Sequence, residues 1–197
     1  MTGRPARTAA LAFITVVTAA ALFGAGRLTA DPGQSPGPNQ VDVGFAQDMR
    51  EHHSQAATMS LAMLERAADP EVRRLARDIG TAQLMEIGTL GGWLMLWARP
   101  EQSDHTMSWL PADAPHAVDR SMGMASGSDL RNLSTLPVAE AERLFLTLMR
   151  THHLAGIHMA HAAADRANIS QLRDLARAMA AAQELDIARI DRLTDIL

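Results

Sequence analysis

A long stretch of helix-forming sequence recurs in this chain after an interval of one hundred residues, and that recurrence limits the folds open to it. Phe45, Met49, Arg50, His52, His53 and Met59 return as Phe145, Met149, Arg150, His152, His153 and Met159. Leu75, Ala76, Arg77, Ala82, Gln83 and Ile87 return as Leu175, Ala176, Arg177, Ala182, Gln183 and Ile187. A chain that repeats a helical hairpin in register builds its core from two similar halves, neither of which buries its apolar face alone. Each half carries a His-His pair flanked by Met, and imidazole with thioether is the donor chemistry of soft metal ions.

Helix limits follow from periodicity and stop signals. A first helix is predicted from Asp42 to Ala68. Asp69-Pro70 supplies an N-cap and a proline in the first turn of a second. That second helix is expected to run from Pro70 to Arg99, weakened by Gly91-Gly92 and stopped by Pro100. A polar crossover follows to Pro137, with room for a short helix near Ser128 to Leu133. A third helix is predicted from Val138 to Ala167, and a fourth, capped by Ser170, to about Leu197. The expected fold is all-α: a four-helix bundle over 42–197, made of repeats 42–99 and 138–197 joined by a long crossover, with pseudo-twofold symmetry.

Composition removes several functions. Cys is absent, which excludes disulfides, thiolate zinc sites, iron–sulfur clusters and Cys nucleophiles. All 18 basic residues are Arg, the net charge is −4, and no basic patch suggests nucleic acid. No phosphate loop, nucleotide fingerprint or Ser–His–Asp arrangement is recognisable. At the N-terminus Arg4 and Arg7 precede an uncharged apolar run from Thr8 to Gly26. Residues 1–30 read as a signal peptide or an N-terminal membrane anchor, and 31–41 as a flexible Pro/Gly linker. Either form places the domain outside the cytoplasm, secreted or held at the outer face of the cytoplasmic membrane, with membrane contact only through this segment.

With about 100° of rotation per residue, Phe45, Met49, Ala56, Met59 and Met63 share a face with His52, and His53 falls at its edge. Phe145, Met149, Gly156 and Met159 share a face with His152 in the same way. On the second helix Leu75, Ile79, Ala82, Leu90 and Trp93 form a stripe with Glu86 in its middle and Gln83 at its edge. The fourth helix matches it with Asp186 and Gln183. An inward acid at the same place in both halves is costly unless it is paired or bound to a cation. Arg50 and Arg150 are candidates to pair with Glu86 and Asp186, whereas Arg73, Arg173, Arg77 and Arg177 read as solvated faces.

A Met stripe alone is ordinary core filler, and a lone inward His is more often a hydrogen-bonded core residue. Two inward His at equivalent positions, each with the same Met neighbours and a second His, favour a metal site. His158 and His161 lie away from His152 and read as solvated. The crossover holds His105, Met107, His116, Met122 and Met124, and Ser121-Met-Gly-Met-Ala is unusual for an exposed loop. It is either a Met-rich lid that passes Cu(I) inward or a loop whose Met residues pack on the bundle.

The segments FAQDMREHHSQAATMS and FLTLMRTHHLAGIHMA, with the MGM stretch before the second, resemble the bacterial exported domain-of-unknown-function family 305, a ferritin-like group with an HH motif. The likeness covers about Val43 to Leu197 and includes a Q-x2-[ED]-I pattern, here QLMEI and QELDI. Much of the family has no assigned function, but it includes CopM-type periplasmic copper-binding proteins. The resemblance therefore implies copper, as Cu(I) or Cu(II), held through Met49, His52, His53, Met59, Met122, Met124, Met149, His152, His153 and Met159. Met122 stands where the family's loop motif usually has Pro. Ferritin chemistry does not follow, because the E-x-x-H pattern of di-iron bundles is missing.

The functional expectation is thus a non-catalytic extracytoplasmic protein that buffers, sequesters or transfers copper. His52 and His152 would be the inner ligands, and His53 and His153 further ligands or orienting groups. A ferritin-like iron or manganese redox enzyme, with Glu86 and Asp186 completing a mixed N/O site, is the alternative. In a third reading the His pairs simply hydrogen-bond to those acids as a buried polar network.

Overall fold

The structure, a computed structural model, describes residues 37–110 and 122–197. The export segment, most of the linker and His116 lie outside the described residues. The described chain forms four long helices and one short one: α1 (Gln40–Arg66), α2 (Pro70–Leu96), α3 (Gly127–Thr135), α4 (Val138–Arg166) and α5 (Ser170–Thr194). The predicted number of helices and their order hold.

Local chemistry explains most of the limits. Asn39 and Asp42 form a reciprocal capping box at the start of α1, so the helix begins inside the expected linker. Asp69 accepts from the N–H groups of Glu71 and Val72 ahead of Pro70, and Ser126 with Asp129 forms a second capping box on α3. Gly91-Gly92 does not interrupt α2; a Cβ on Gly91 would lie 3.2 Å from Nε of Arg50, so the glycine makes room for that side chain. α2 ends at Leu96, before Pro100, where Ala98 takes a left-handed φ of 52° and the N–H of Arg99 returns to the carbonyl of Leu94.

The expected cap on α5 is not there. Ile169 occupies the N-cap position and no side chain of its own helix caps it. The N–H groups of Asn168 and Ile169 instead donate to the carboxylate of Asp42, both at 2.9 Å. The other half has a counterpart: Glu142 accepts from the N–H groups of Ala68 and Asp69 at 2.7 and 2.8 Å. Each long first helix thus secures the turn of the opposite hairpin. Arg73 and Arg173, expected to be solvated, bond the carbonyls of Ala67 and Ala167 within the same turns.

These ties make α1 and α4 antiparallel, since the start of each meets the end of the other. α1 packs mainly on α2 and α4 mainly on α5; α1 and α4 meet across the middle, and α2 and α5 touch lightly. Two apolar clusters fill the ends of the bundle, one around Phe45, Met49, Leu90, Leu94 and Met159, the other around Met59, Met63, Leu75, Phe145 and Met149. Full burial of side chains of this size contributes about 1.5–3 kcal/mol each.

The crossover is fastened to α1. Asp48, fully buried, accepts from the N–H of Met107 at 2.7 Å and the indole N–H of Trp109 at 2.8 Å. Burial raises its carboxyl above the usual range, and the two donors oppose that shift. Gln47 donates to the carbonyls of Pro100 and Gln102, and Arg50 pairs with Glu101 at 2.9 Å.

Candidate metal centre

The His pairs meet at the middle of the bundle, between the two apolar clusters. His52 and His152 stack with ring centroids 3.6 Å apart and planes 25° from parallel. Nε2 of His52 lies 3.1 Å from the backbone carbonyl of His152. A carbonyl can only accept, so that nitrogen carries the proton and Nδ1 of His52 holds the lone pair. Each second His reaches outward to the acid of its own hairpin. His53 Nε2 is 2.8 Å from Oε2 of Glu86, and His153 Nε2 is 3.4 Å from Oδ2 of Asp186. The His153 contact is a long hydrogen bond, whereas His53 Nε2 is close to Glu86 without the alignment of one.

Nδ1 of all four rings is buried without a hydrogen-bond partner, and so are Nε2 of His53 and Nε2 of His152. Ser60, Gln83 and Gln183 share this condition, as do Oδ1 of Asp48 and Nε of Arg50. Met49, Met59, Met149 and Met159 are fully buried. Burial first, and then the neighbouring imidazoles, holds His52 well below the usual histidine range. The same causes push His152 down to about 3. His53 is lowered by burial, with Glu86 pulling the other way. The three rings with lowered pKa are neutral at pH 7, the form that binds metal.

Several expectations need correction. His53 is not at the edge of a stripe but fully buried, and so is His153. Gln83 and Gln183 are buried while Ala82 and Ala182 are exposed, the reverse of the expected order. Glu86 and Asp186 lie at the rim, with about a fifth of each side chain exposed. Arg50 and Arg150 do not pair with them; Arg50 takes Glu101, and Arg150 takes Asp191 at 2.7 Å. His158 and His161 are exposed, as is His105.

The MGM stretch is not an exposed Met loop. Met122 is 4% exposed and belongs to the apolar cluster of Phe45, and Met124 packs against the same cluster. Met122 and Gly123 both take left-handed backbone, with φ of 52° and 63°. A Cβ on Gly123 would come within 2.8 Å of the Thr151 carbonyl oxygen, so glycine is required there. Gln55 fixes the segment from the other side by exchanging two hydrogen bonds with the backbone of Ala125. Gly156 is equally constrained: a Cβ there would stand 2.3 Å from Oε1 of Gln183 and 2.9 Å from Cε1 of His52. Gln183 therefore borders the stacked rings, a role that its return at the hundred-residue interval signalled and helical phase misassigned.

Among the described residues no group of three or more His, Asp or Glu side chains is already gathered as a cation cage. The stack explains this. Imidazole lone pairs lie in the ring plane, and two nearly parallel rings 3.6 Å apart cannot aim them at one ion between them.

Antiparallel hairpins closed around buried, stacked imidazoles define a class of all-α bundle with a His-lined centre. The chain belongs to the DUF305 family: the family's model, described as a domain of unknown function, matches residues 42–194. A crystal structure of a family member from Streptomyces coelicolor, described as secreted, is 40% identical, covers 78% of this chain and 89% of its own, and superposes with a TM-score of 0.70. A DUF305 fragment from Deinococcus radiodurans is 34% identical over 82% of this chain and all of that fragment, again with a TM-score of 0.70. CopM in its Cu(II)-bound form shares the fold at 24% identity, covering 78% of this chain and 95% of that one, with a TM-score of 0.64. No curated protein matches the chain.

Proposed function

We propose that this protein binds copper outside the cytoplasm, and buffers, sequesters or passes on the ion without catalysing a reaction. The supporting observation is the state of the four central imidazoles. His52 donates through Nε2 to a backbone carbonyl, His53 and His153 set Nε2 against a rim carboxylate, and all four present a buried Nδ1 with no protein partner. A ligating His characteristically donates its other nitrogen in this way, which fixes the ring and raises its basicity. Neutral imidazole beside thioether suits Cu(I), and imidazole alone also serves Cu(II). CopM has been solved with each of these ions.

On this reading His52 and His152 are the inner ligands, and Met49, Met59, Met149 and Met159 supply thioethers. His53 and His153 add further nitrogens. Glu86 and Asp186 act behind them, holding the rings rather than the ion. Met122 and Met124 belong to the packing of the adjoining cluster and are the weakest members of the set. Taking up copper requires the stacked rings to turn apart. The extracytoplasmic setting rests on residues 1–30 acting as a signal or anchor, and accords with the secreted description of the Streptomyces relative.

The domain should bind Cu(I) at low-micromolar affinity or better in a competition titration, and replacing both His pairs by Gln should abolish binding. Glu86→Gln should weaken binding about 10- to 100-fold, as expected for a group that orients a ligand. Undiminished Cu(I) affinity in the quadruple His variant removes the assignment. The His53–Glu86 and His153–Asp186 pairs also favour a second reading, a purely structural polar network. Under that reading copper leaves the melting temperature unchanged.

A further inference from the structure

The two halves repeat a buried polar residue other than histidine. Gln83 on α2 and Gln183 on α5 are 4% and 2% exposed, although Ala82 and Ala182 beside them face solvent. Oε1 of both amides, and Nε2 of Gln183, are buried without a hydrogen-bond partner. An apolar side chain would fill either place without that cost. Gln183 also has a direction. A Cβ on Gly156 would stand 2.3 Å from its Oε1 and 2.9 Å from Cε1 of His52, so the amide passes the bare backbone of α4 and stops beside the ring. Asp186, three residues further along α5, contacts His153 of its own hairpin. One helix thus sends a carboxylate to the imidazole of its own half and an amide oxygen to the imidazole of the other.

We infer that Gln83 and Gln183 are oxygen donors to the bound ion and bias the centre toward the oxidised form, Cu(II). The inference rests on the copper reading above and adds the residues that choose between its two oxidation states. An amide oxygen can only accept, and Nδ1 of His52 holds a lone pair, so unpaired lone pairs collect beside the stacked rings. Such a set is matched by a cation. Sulfur is held elsewhere in this fold: Met49 and Met159 pack in the apolar cluster of Phe45, and Met59 and Met149 in that of Phe145. Thioether selects Cu(I), whereas nitrogen together with oxygen is the donor set of Cu(II). Drawing the thioethers onto an ion would require both clusters to repack, but the amide oxygen of Gln183 already borders His52. Gln83 carries the same group at the matched place, so each hairpin supplies one oxygen.

The test loads the full chain with copper and measures the midpoint potential of the bound ion against redox mediators. That potential reads the ratio of Cu(II) to Cu(I) affinity, about 59 mV for each tenfold change. The double variant Gln83→Met, Gln183→Met sets soft sulfur of similar reach where the oxygens stood. It should move the ratio toward Cu(I) about tenfold or more and raise the potential by about 59 mV or more. Gln183→Glu keeps an oxygen at the same place and adds charge, so it should lower the potential; it carries the test alone should the double variant fail to fold. Potentials that match the parent in the variants that fold and still bind copper assign the amides to structure and overturn the inference, leaving the copper reading in place. A parent chain that takes Cu(I) but not Cu(II) in parallel competition titrations has the same consequence. A parent chain that takes neither ion overturns the copper reading, and the inference falls with it.

Discussion

Acidification should destabilise the metal-free domain steeply, because His52, His53 and His152 resist protonation in the folded state. An exposed histidine in the unfolded chain protonates near pH 6.5. In the folded protein His52 stays far below that value and His152 protonates only at about 3. Above pH 7 neither state binds the protons and these groups contribute nothing to the pH dependence. Between pH 6.5 and about 3 the unfolded state binds protons that the folded state refuses, so stability falls as pH falls. Each such group costs about 1.4 kcal/mol per pH unit in that window. From pH 7 to pH 5 the two inner rings together remove about 4 kcal/mol, with a smaller loss from His53. Asp48 opposes this weakly, since a raised carboxyl favours the folded state as pH falls. Urea unfolding followed by far-ultraviolet circular dichroism provides the assay. With a slope of about 2 kcal/mol per molar urea, the midpoint should drop by about 2 M. His152→Gln should reduce that drop by about half, whatever it does to stability at pH 7. A midpoint that stays constant from pH 7 to pH 5 in chelator-treated protein contradicts the buried, neutral assignment.

Three further outcomes follow from single contacts. Glu142→Ala removes a buried carboxylate that two backbone N–H groups share, and should cost about 3 kcal/mol in chemical unfolding; Glu142→Gln, which keeps one acceptor oxygen, should cost less. Gly44→Ala places a methyl 2.5–2.8 Å from three atoms of Trp109, so it should displace that indole, red-shift tryptophan emission and expose residues 98–110 to protease. Gly156→Ala gains about 1 kcal/mol of helix propensity but overpacks the centre by about 1–3 kcal/mol. It should therefore lower the melting temperature; a more stable variant shows that Gln183 moves aside freely.

The helices and the meeting of the His pairs were legible in the sequence because each was written twice. His52 and His152 were placed inward by phase, and their return at one interval made the assignment firm. Phase failed at the borders of the stripes. α1 packs against α2 as well as α4, so a wider arc is buried than one partner would cover, and that arc takes in His53. The same widening brings Gln83 and Gln183 inside and leaves Ala82 and Ala182 out. The acids that tie the hairpins together were missed for a chemical reason. Asp42 and Glu142 occupy matched positions and do the same work, but they are different residue types. An identity match passes over them; a charge match would have found them.

Several differences between the two halves follow the crossover. Gly44, Asp48 and Gln55 on α1 face Leu144, Leu148 and Ala155 at the matched places on α4. Gly44 makes room for Trp109, Asp48 holds Met107 and Trp109, and Gln55 clamps Ala125. Leu144 and Leu148, with no such loop to receive, pack on the apolar cluster of Phe145. Ala155 keeps a small side chain because Gly123 passes against it. A connection that runs once, over one side, forces matched positions into different chemistry wherever it lands. The positions it does not touch are free to stay alike, and there the chain keeps its stacked His, its His–acid pairs and its buried Gln. Packing alone asks for apolar side chains at the centre of a bundle and gains nothing from paired imidazoles with bare nitrogens. Their presence in both halves, clear of the crossover, is what the proposed copper site would explain, since an ion held between the hairpins would use both halves together.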